Sequence, residues 1–200
     1  MGVDASAGML DVARREHAPA CTFVCADVVE YLQRRPDRSV DVITCAWGLG
    51  YTRPRLALRE AARVLRPGGR MGIIDNSLFS LWEVLWASVL AFAENPDALD
   101  HVMRVRFLPS STSLGLLMRH AGLGVQAAWG GARTYIVPDG QAAIARLSAT
   151  GAAAGFEFAA AQGQREAVFA RFAEIMERRY GQSNGIPITH RYLAAVGRKP

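Results

Sequence analysis

The 200-residue chain is half apolar and one-fifth charged, enough for one domain with a real core and unlike a disordered or low-complexity chain. Its net charge is +5, but Lys199 is the single lysine among 23 basic residues, and the arginines cluster no more tightly than Arg14-Arg15, Arg34-Arg35 and Arg178-Arg179. No basic run interleaves with aromatics, which excludes a nucleic-acid footprint, and no nucleic-acid partner is expected.

Residues 1–4 read as the tail of a β-strand rather than as a signal peptide. Ser6 can cap a helix over 7–17 whose apolar face is Met9, Leu10 and Ala13. TFVCA (22–26) is a short apolar strand ending at Asp27, 29–34 forms one helical turn, and Pro36-Asp37-Arg38 is a turn. VDVITCA (40–46) is a β-branched strand, after which Gly48 and Gly50 loosen the chain. A helix over 55–65 is stopped by Pro67-Gly68-Gly69, and MGIID (71–75) is the next strand. Short, nearly all-apolar strands in this order predict a parallel sheet covered on both faces. Cys21 and Cys25 are followed by no second ligand pair, so no metal site is expected. Cys25 and Cys45, in strands, read as small buried hydrophobes in a protein of the reducing cytoplasm.

Downstream, 78–94 is predicted as one long helix. Ser80, Glu83, Ala87, Ala91 and Glu94 make a narrow small-or-polar stripe on it, and the rest predicts cover over most of its circumference. Its apolar stretch, 78–93, carries Glu83 and falls short of the ~20 residues a membrane span needs. Ser110 caps a helix ending near Gly122, and 125–137 is strand-like with an interruption at Gly130-Gly131. Residues 141–180 are helical with a soft break near 151–155, and 188–196 is a final strand.

Three features point to a nucleoside. Asp4 ends an apolar strand before a helix, where one carboxylate can accept from both hydroxyls of a ribose; the alternative is a helix cap. Asp27 ends the next strand, where a carboxylate and the neighbouring amide at Val28 suit an adenine edge. The RPGG turn is structural: its glycines allow a sharp reversal.

At these residues the chain resembles a known family. GVDASAGMLDVARRE, FVCADV and SVDVITCAWGLGYTRPRLALREAARVLRPGGRMGIID are similar to the class I S-adenosylmethionine-dependent methyltransferase core from its second strand through its fifth. AWGLG and LREAARVLRPGG resemble its ubiquinone/menaquinone C-methyltransferase-like branch, and ITHRYLAAVGRKP its terminal strand. The resemblance implies a Rossmann-like α/β sheet with helices on both faces. It divides one domain into a partial cofactor-binding core (1–77), substrate-covering helices with one further core helix and strand (78–186) and a terminal core strand (187–200). The family's first strand and glycine-rich loop would precede Gly2 and are missing, so an N-terminal truncation is expected, with weak cofactor binding by the chain as given.

The resemblance also implies the cofactor S-adenosylmethionine, held by Asp4, Ala5 and Ser6 at the ribose, by Met9, Asp27 and Val28 at the adenine, and by Ala46, Trp47 and Gly48 beside the transferring methyl. Tyr51, Asn76, Trp82 and Trp86 are the candidate contacts to a small, apolar or aromatic acceptor. Tyr51 and His190 are the weak candidates for a catalytic base, ahead of His101 and His120. The apolar helix would roof an apolar substrate pocket, or else only pack on the core or on a second copy in a homodimer. Two other readings stay open: an inactive methyltransferase-like binding module and a nicotinamide-dependent oxidoreductase, which would also want an acid at Asp4.

Overall fold

The computed structural model describes residues 1–102, 104–149 and 159–200. Contacts divide the chain into two units: Met1–Leu78, Val105–Gly130 and Leu193–Pro200 in the first, Phe79–Arg104 and Gly131–Tyr192 in the second.

In the first unit, strand β1 (Gly2–Asp4) leads into helix α1 (Ala7–His17), which Ser6 caps by accepting the Met9 amide. Arg14, Arg15 and His17 in its last turn complement the helix dipole. Strand β2 (Phe23–Cys25) pairs in parallel with β1, Asp4 opposite Cys25. Helix α2 (Val28–Gln33) follows, and strand β3 (Val40–Ala46) pairs in parallel with strand β4 (Leu65–Asn76). Between them lie a 3-10 turn (Leu49–Tyr51) and helix α3 (Pro54–Val64), which starts on a proline at its first position. α3 passes straight into β4. Gly68 there is left-handed, φ 81°, and a Cβ on Gly69 would sit 2.9 Å from the Arg66 carbonyl oxygen, so the reversal needs both glycines.

Helix α5 (Ser111–His120) is capped by Ser110 and stopped by left-handed Gly122, as predicted. Strand β5 (Gly124–Val137) runs without a break through Gly130-Gly131, correcting the predicted interruption. Strand β6 is Ile186–Arg198, and the unit boundaries fall within β5 and within β6. Two sheets result, β1-β2 and β3-β4-β6-β5. Among the described residues β1 and β3 each pair on one side only.

The first unit's core joins α3 (Leu58, Ala61, Ala62) to Leu65 and Ile73 of β4, Leu114 and Met118 of α5 and Leu193 of β6. Full cover of the strands, as predicted, is not found: Val42 of β3 is 62% exposed. Cys25 is exposed as well, against the buried-hydrophobe reading, because β2 lies in a two-stranded sheet; Cys45 is partly buried.

The second unit holds helices α4 (Trp82–Glu94), α6 (Gly140–Ala149) and α7 (Arg165–Tyr180). Within the predicted helical stretch 141–180 the described residues include α6 and α7, and the predicted break near 151–155 lies outside the described residues. α4 begins four residues later than predicted, because left-handed Leu81 (φ 54°) separates it from 78–80. Its faces are also the reverse of the prediction. Val84, Ala87 and Ala91 are buried, while Trp82, Leu85, Trp86 and Val89 are 37–49% exposed. The alanines, four residues apart, let α4 come close to α7, whose Val168, Phe172 and Met176 fill the core.

Candidate functional site

Four strands of the first unit end in candidate residues. At the end of β1, Asp4 Oδ1 accepts the Ser6 amide at 2.7 Å on an exposed surface. Asp4 is therefore not the cap of α1; Ser6 is, with its Oγ 3.3 Å from the Met9 amide. Met9 is 62% exposed beside it. At the end of β2, Asp27 Oδ1 accepts two amides, from Val29 at 2.8 Å and Glu30 at 3.0 Å, and so caps α2. Ala5 and Val28 stand next to these acids in the chain.

At the end of β3, Ala46 pairs with Ile74, and the Trp47 amide extends the ladder by donating to the Ile74 carbonyl at 2.9 Å. Trp47 itself is left-handed, φ 56°, a conformation costly for a bulky residue and concentrated at functional sites. Its ring is 45% exposed, so it is not a core tryptophan. Gly48 opens the 3-10 turn, and the Tyr51 amide closes on its carbonyl at 3.3 Å.

At the end of β4, Asp75 is 2% exposed. Its Oδ2 accepts the Gly50 amide at 2.6 Å and its Oδ1 the Asn76 amide at 2.8 Å. Burial raises the Asp75 carboxyl above the ordinary carboxylate range, and the amides of Gly50, Asn76 and Leu49 oppose the shift. Burial and the nearby Asp75 charge push the Cys45 thiol up to about 11, so it is an inert thiol. The same two causes raise the Tyr51 phenol above its ordinary value. Its ring meets Phe107 edge-on, centroids 5.5 Å apart. Residues 105–108 cross the turn. The Arg106 amide donates to the Gly50 carbonyl at 2.7 Å, its guanidinium to the Thr52 carbonyl at 3.2 Å, and the Leu78 amide to the Leu108 carbonyl at 2.9 Å.

Trp82, Trp86 and His190 belong to the second unit. The two indoles stack, 6.0 Å apart and 10° from parallel. His190 lies edge-on to Tyr135 at 5.8 Å, and burial with the Arg146 charge lowers its pKa. His101 is exposed beside Asp100, and His120 sits in the last turn of α5. No group of three metal-ligating side chains occurs among the described residues. Sequence reasoning missed the tie between Asp75, Gly50 and Arg106. Its one signal was Gly50 itself, since a Cβ there would overlap the Phe107 ring.

Residues 1–73 match a family described as a methyltransferase domain. A demethylmenaquinone methyltransferase of Paenarthrobacter aurescens (strain TC1) is 33% identical over 132 residues, 60% of this chain and 51% of that protein. The chain spans about half the length of the curated relatives it matches first. Among solved structures, BH2331 from Bacillus halodurans C-125 superposes with a TM-score of 0.61 at 15% identity, covering 99% of this chain and 81% of that one. The [4+2]-cyclase SpnF superposes at 0.53 and 18% identity, covering 100% and 65%.

Proposed function

Because residues 1–73 match a methyltransferase-domain family and the chain has the fold of class I methyltransferases, we propose that the protein moves a methyl group from S-adenosylmethionine to a small apolar or aromatic acceptor. One observation carries the reading. Two acids end adjacent parallel strands, Asp4 and Asp27, and both strands lie in the matched segment.

The residues present suit that cofactor. Asp4 is exposed with only one oxygen engaged by Ser6 in the hydrogen bonds given above, and a carboxylate can accept from two adjacent ribose hydroxyls. Asp27 directs a single oxygen to both capping amides, leaving acceptor capacity for an amino group. Ala5 and Ser6 flank the ribose acid, Met9 and Val28 offer apolar contact to a base, and Ala46, Trp47 and Gly48 end β3. When bound, S-adenosylmethionine supplies a methyl already activated on a sulfonium.

The protein's own task is then alignment and exclusion of water, and alignment alone can supply up to about 7–11 kcal/mol of barrier lowering. Trp47 brings apolar surface to the end of β3, and Tyr51, held protonated, can donate to an acceptor oxygen. Asn76 adds a polar side chain at the end of β4. The likeness to a demethylmenaquinone methyltransferase supports a ring acceptor, and the exposed, stacked Trp82 and Trp86 of the second unit offer aromatic surface of the kind a flat ring takes. This reading takes a cytoplasmic enzyme, alone or as a homodimer, without a nucleic-acid partner; no helix among the described residues is long and apolar enough to cross a membrane.

The test is transfer of a labelled methyl from S-adenosylmethionine to demethylmenaquinone-like and phenolic acceptors, with Asp4→Ala as the control. Loss of the ribose bonds should weaken donor binding by about 1.5–3 kcal/mol without unfolding the protein. Unchanged donor affinity in Asp4→Ala would sink the ribose assignment. Since SpnF carries a cyclase on this fold, conversion of the acceptors without any methyl donor would instead favour a different chemistry.

A further inference from the structure

Gly50 is held on both sides. Its N–H points to the buried Asp75 carboxylate, its carbonyl receives the Arg106 amide, and it has no room for a side chain under Phe107. The turn around it is fixed by the same centres. Asp75, at the end of β4, takes the backbone amides of Gly50 and Asn76, and the turn closes on itself through the Tyr51 amide to Gly48 and the Thr52 amide to Leu49. Leu49 is 2% exposed and roots the turn in the core, while Trp47 and Tyr51 on either side of it are 45% and 40% exposed. A buried, hydrogen-bonded centre thus carries two exposed rings.

We propose that Asp75 is a positioning residue: its carboxylate fixes the 48–51 turn, and through Gly50 it ties that turn to residues 105–108, so that Trp47 and Tyr51 are presented together at the ends of β3 and β4. Asp75 does not reach a ligand itself. Both of its oxygens are taken by main-chain amides, and it is sealed from solvent. Arg106 completes the tie from the far side, where its amide and guanidinium reach the two carbonyls Gly50 and Thr52. The tension between burial, which disfavours the charged form, and the amides, which favour it, fits a carboxylate present for what it holds. The tie is a property of the chain by itself; its effect on turnover rests on the methyltransferase reading.

Amide hydrogen exchange on the protein reads the tie without any methyl donor. In Asp75→Ala, exchange at Gly50 and at Arg106 should rise together by tenfold or more, while α3 and the middle of β4 keep their protection. Asp75→Asn, whose amide oxygen can still accept the Gly50 N–H, should recover most of it. Gly50→Ala attacks the other side: its methyl overlaps Phe107, so Arg106 should lose protection while Trp47, whose amide bonds the Ile74 carbonyl, keeps it. A rise at Gly50 with Arg106 unchanged in Asp75→Ala would overturn the coupling. So would uniform loss across the first unit in both Asp75→Ala and Asp75→Asn, which would make Asp75 an ordinary core residue.

Kinetics on the protein with donor and acceptor form the second readout. Asp75→Ala should lower kcat/KM for the acceptor at least tenfold and weaken donor binding much less, since Asp4 and Asp27 stand on other strands and only Trp47 and Gly48 of the donor contacts adjoin the turn, and Asp75→Asn should be intermediate. Equal losses in donor and acceptor parameters would overturn the positioning role. Absence of any methyl transfer by the wild type would remove the functional reading, and the exchange data would still decide the tie.

Discussion

Helices α3 and α4 are of similar length and sit one in each unit, yet they treat their apolar residues in opposite ways. On α3, Arg55, Arg59 and Arg63 fall four residues apart on one side, and Ala57, Leu58, Ala61 and Ala62 are at most 6% exposed on the other. On α4, the alanines are buried, and the large residues at 82, 85, 86 and 89 form the open face. The difference lies in contrast along the sequence. Where charge alternates with bulk, solvation of the arginines dictates which side turns inward. Where nearly every position is apolar, close packing chooses instead, and small residues win the place nearest another helix. Glu94 at the end of α4 agrees with this orientation, because its carboxylate pairs with Arg171 of α7, which holds it below the ordinary glutamate range.

The largest effect that would break the comparison is in the cores. Leu58→Ala on α3 removes a side chain that is fully buried, and should cost about 2–5 kcal/mol in denaturant unfolding. Leu85→Ala on α4, about half-exposed, should stay within roughly 1 kcal/mol. Equal costs would mean that the open face of α4 is covered in solution. Ala87→Leu tests the same helix from inside. The added carbons press on the α7 side of the core and should destabilise by about 1–3 kcal/mol, whereas the same change at exposed Ala93 should be near neutral. A neutral Ala87→Leu would show that the small stripe does not set the spacing to α7.

The legible parts of the chain follow the same division. Elements through β4 were readable because strong local signals agree there: Ser6 as a cap, the charged face of α3, and glycines that the RPGG reversal requires; Ser110 did the same for α5. The acids at the strand ends were readable as positions, but their local duties were not. Asp27 reads alike as a cap or as a ligand contact, and in the structure it caps while keeping acceptor capacity. The tie of Asp75 to Gly50 joins residues 25 apart, and that of Gly50 to Arg106 joins residues 56 apart. Hydrogen bonds of this kind leave no periodicity for a sequence pattern to reveal. β5 was read as broken at Gly130-Gly131 because glycine weakens a strand; Gly131 is needed there because a Cβ would meet the Tyr192 hydroxyl at 2.5 Å.

A smaller effect separates the units by pH. His190, in the second unit, has its pKa lowered from the usual 6.5 by burial and by Arg146, so the native state favours its neutral form. That contribution to stability is present above pH 6.5 and is lost as pH falls through the lowered native value. Asp75, in the first unit, is raised above 3.8, so its contribution is present below that pH and is lost as pH rises through the raised native value. Melting temperatures from pH 3 to 8 should therefore show His190→Gln flattening the acid-side loss that begins below pH 6.5. Asp75→Asn should gain on the wild type as pH rises from about 4. Parallel curves for wild type and His190→Gln would mean that His190 is solvated in both states.

The smallest expected change in stability comes from the two indoles of α4, and it carries the most about function. Trp82 and Trp86 stack on each other while remaining 48% and 37% exposed, so each ring keeps much open surface. Truncating either to Ala forfeits the stacking, about 0.5–1.5 kcal/mol, and little core packing. In a chain of this length that is a melting shift of a few degrees at most. Stacked and half-open aromatic surface suits a flat ring, and this is one reason for expecting an aromatic acceptor. If the indoles contact the acceptor, Trp82→Ala and Trp86→Ala should each lower kcat/KM for it by tenfold or more, with donor affinity unchanged. The same face would also serve a second copy of the chain. In that case each variant should shift the oligomeric state in sedimentation, turnover should change only in step with it, and the aromatic-acceptor assignment would fall.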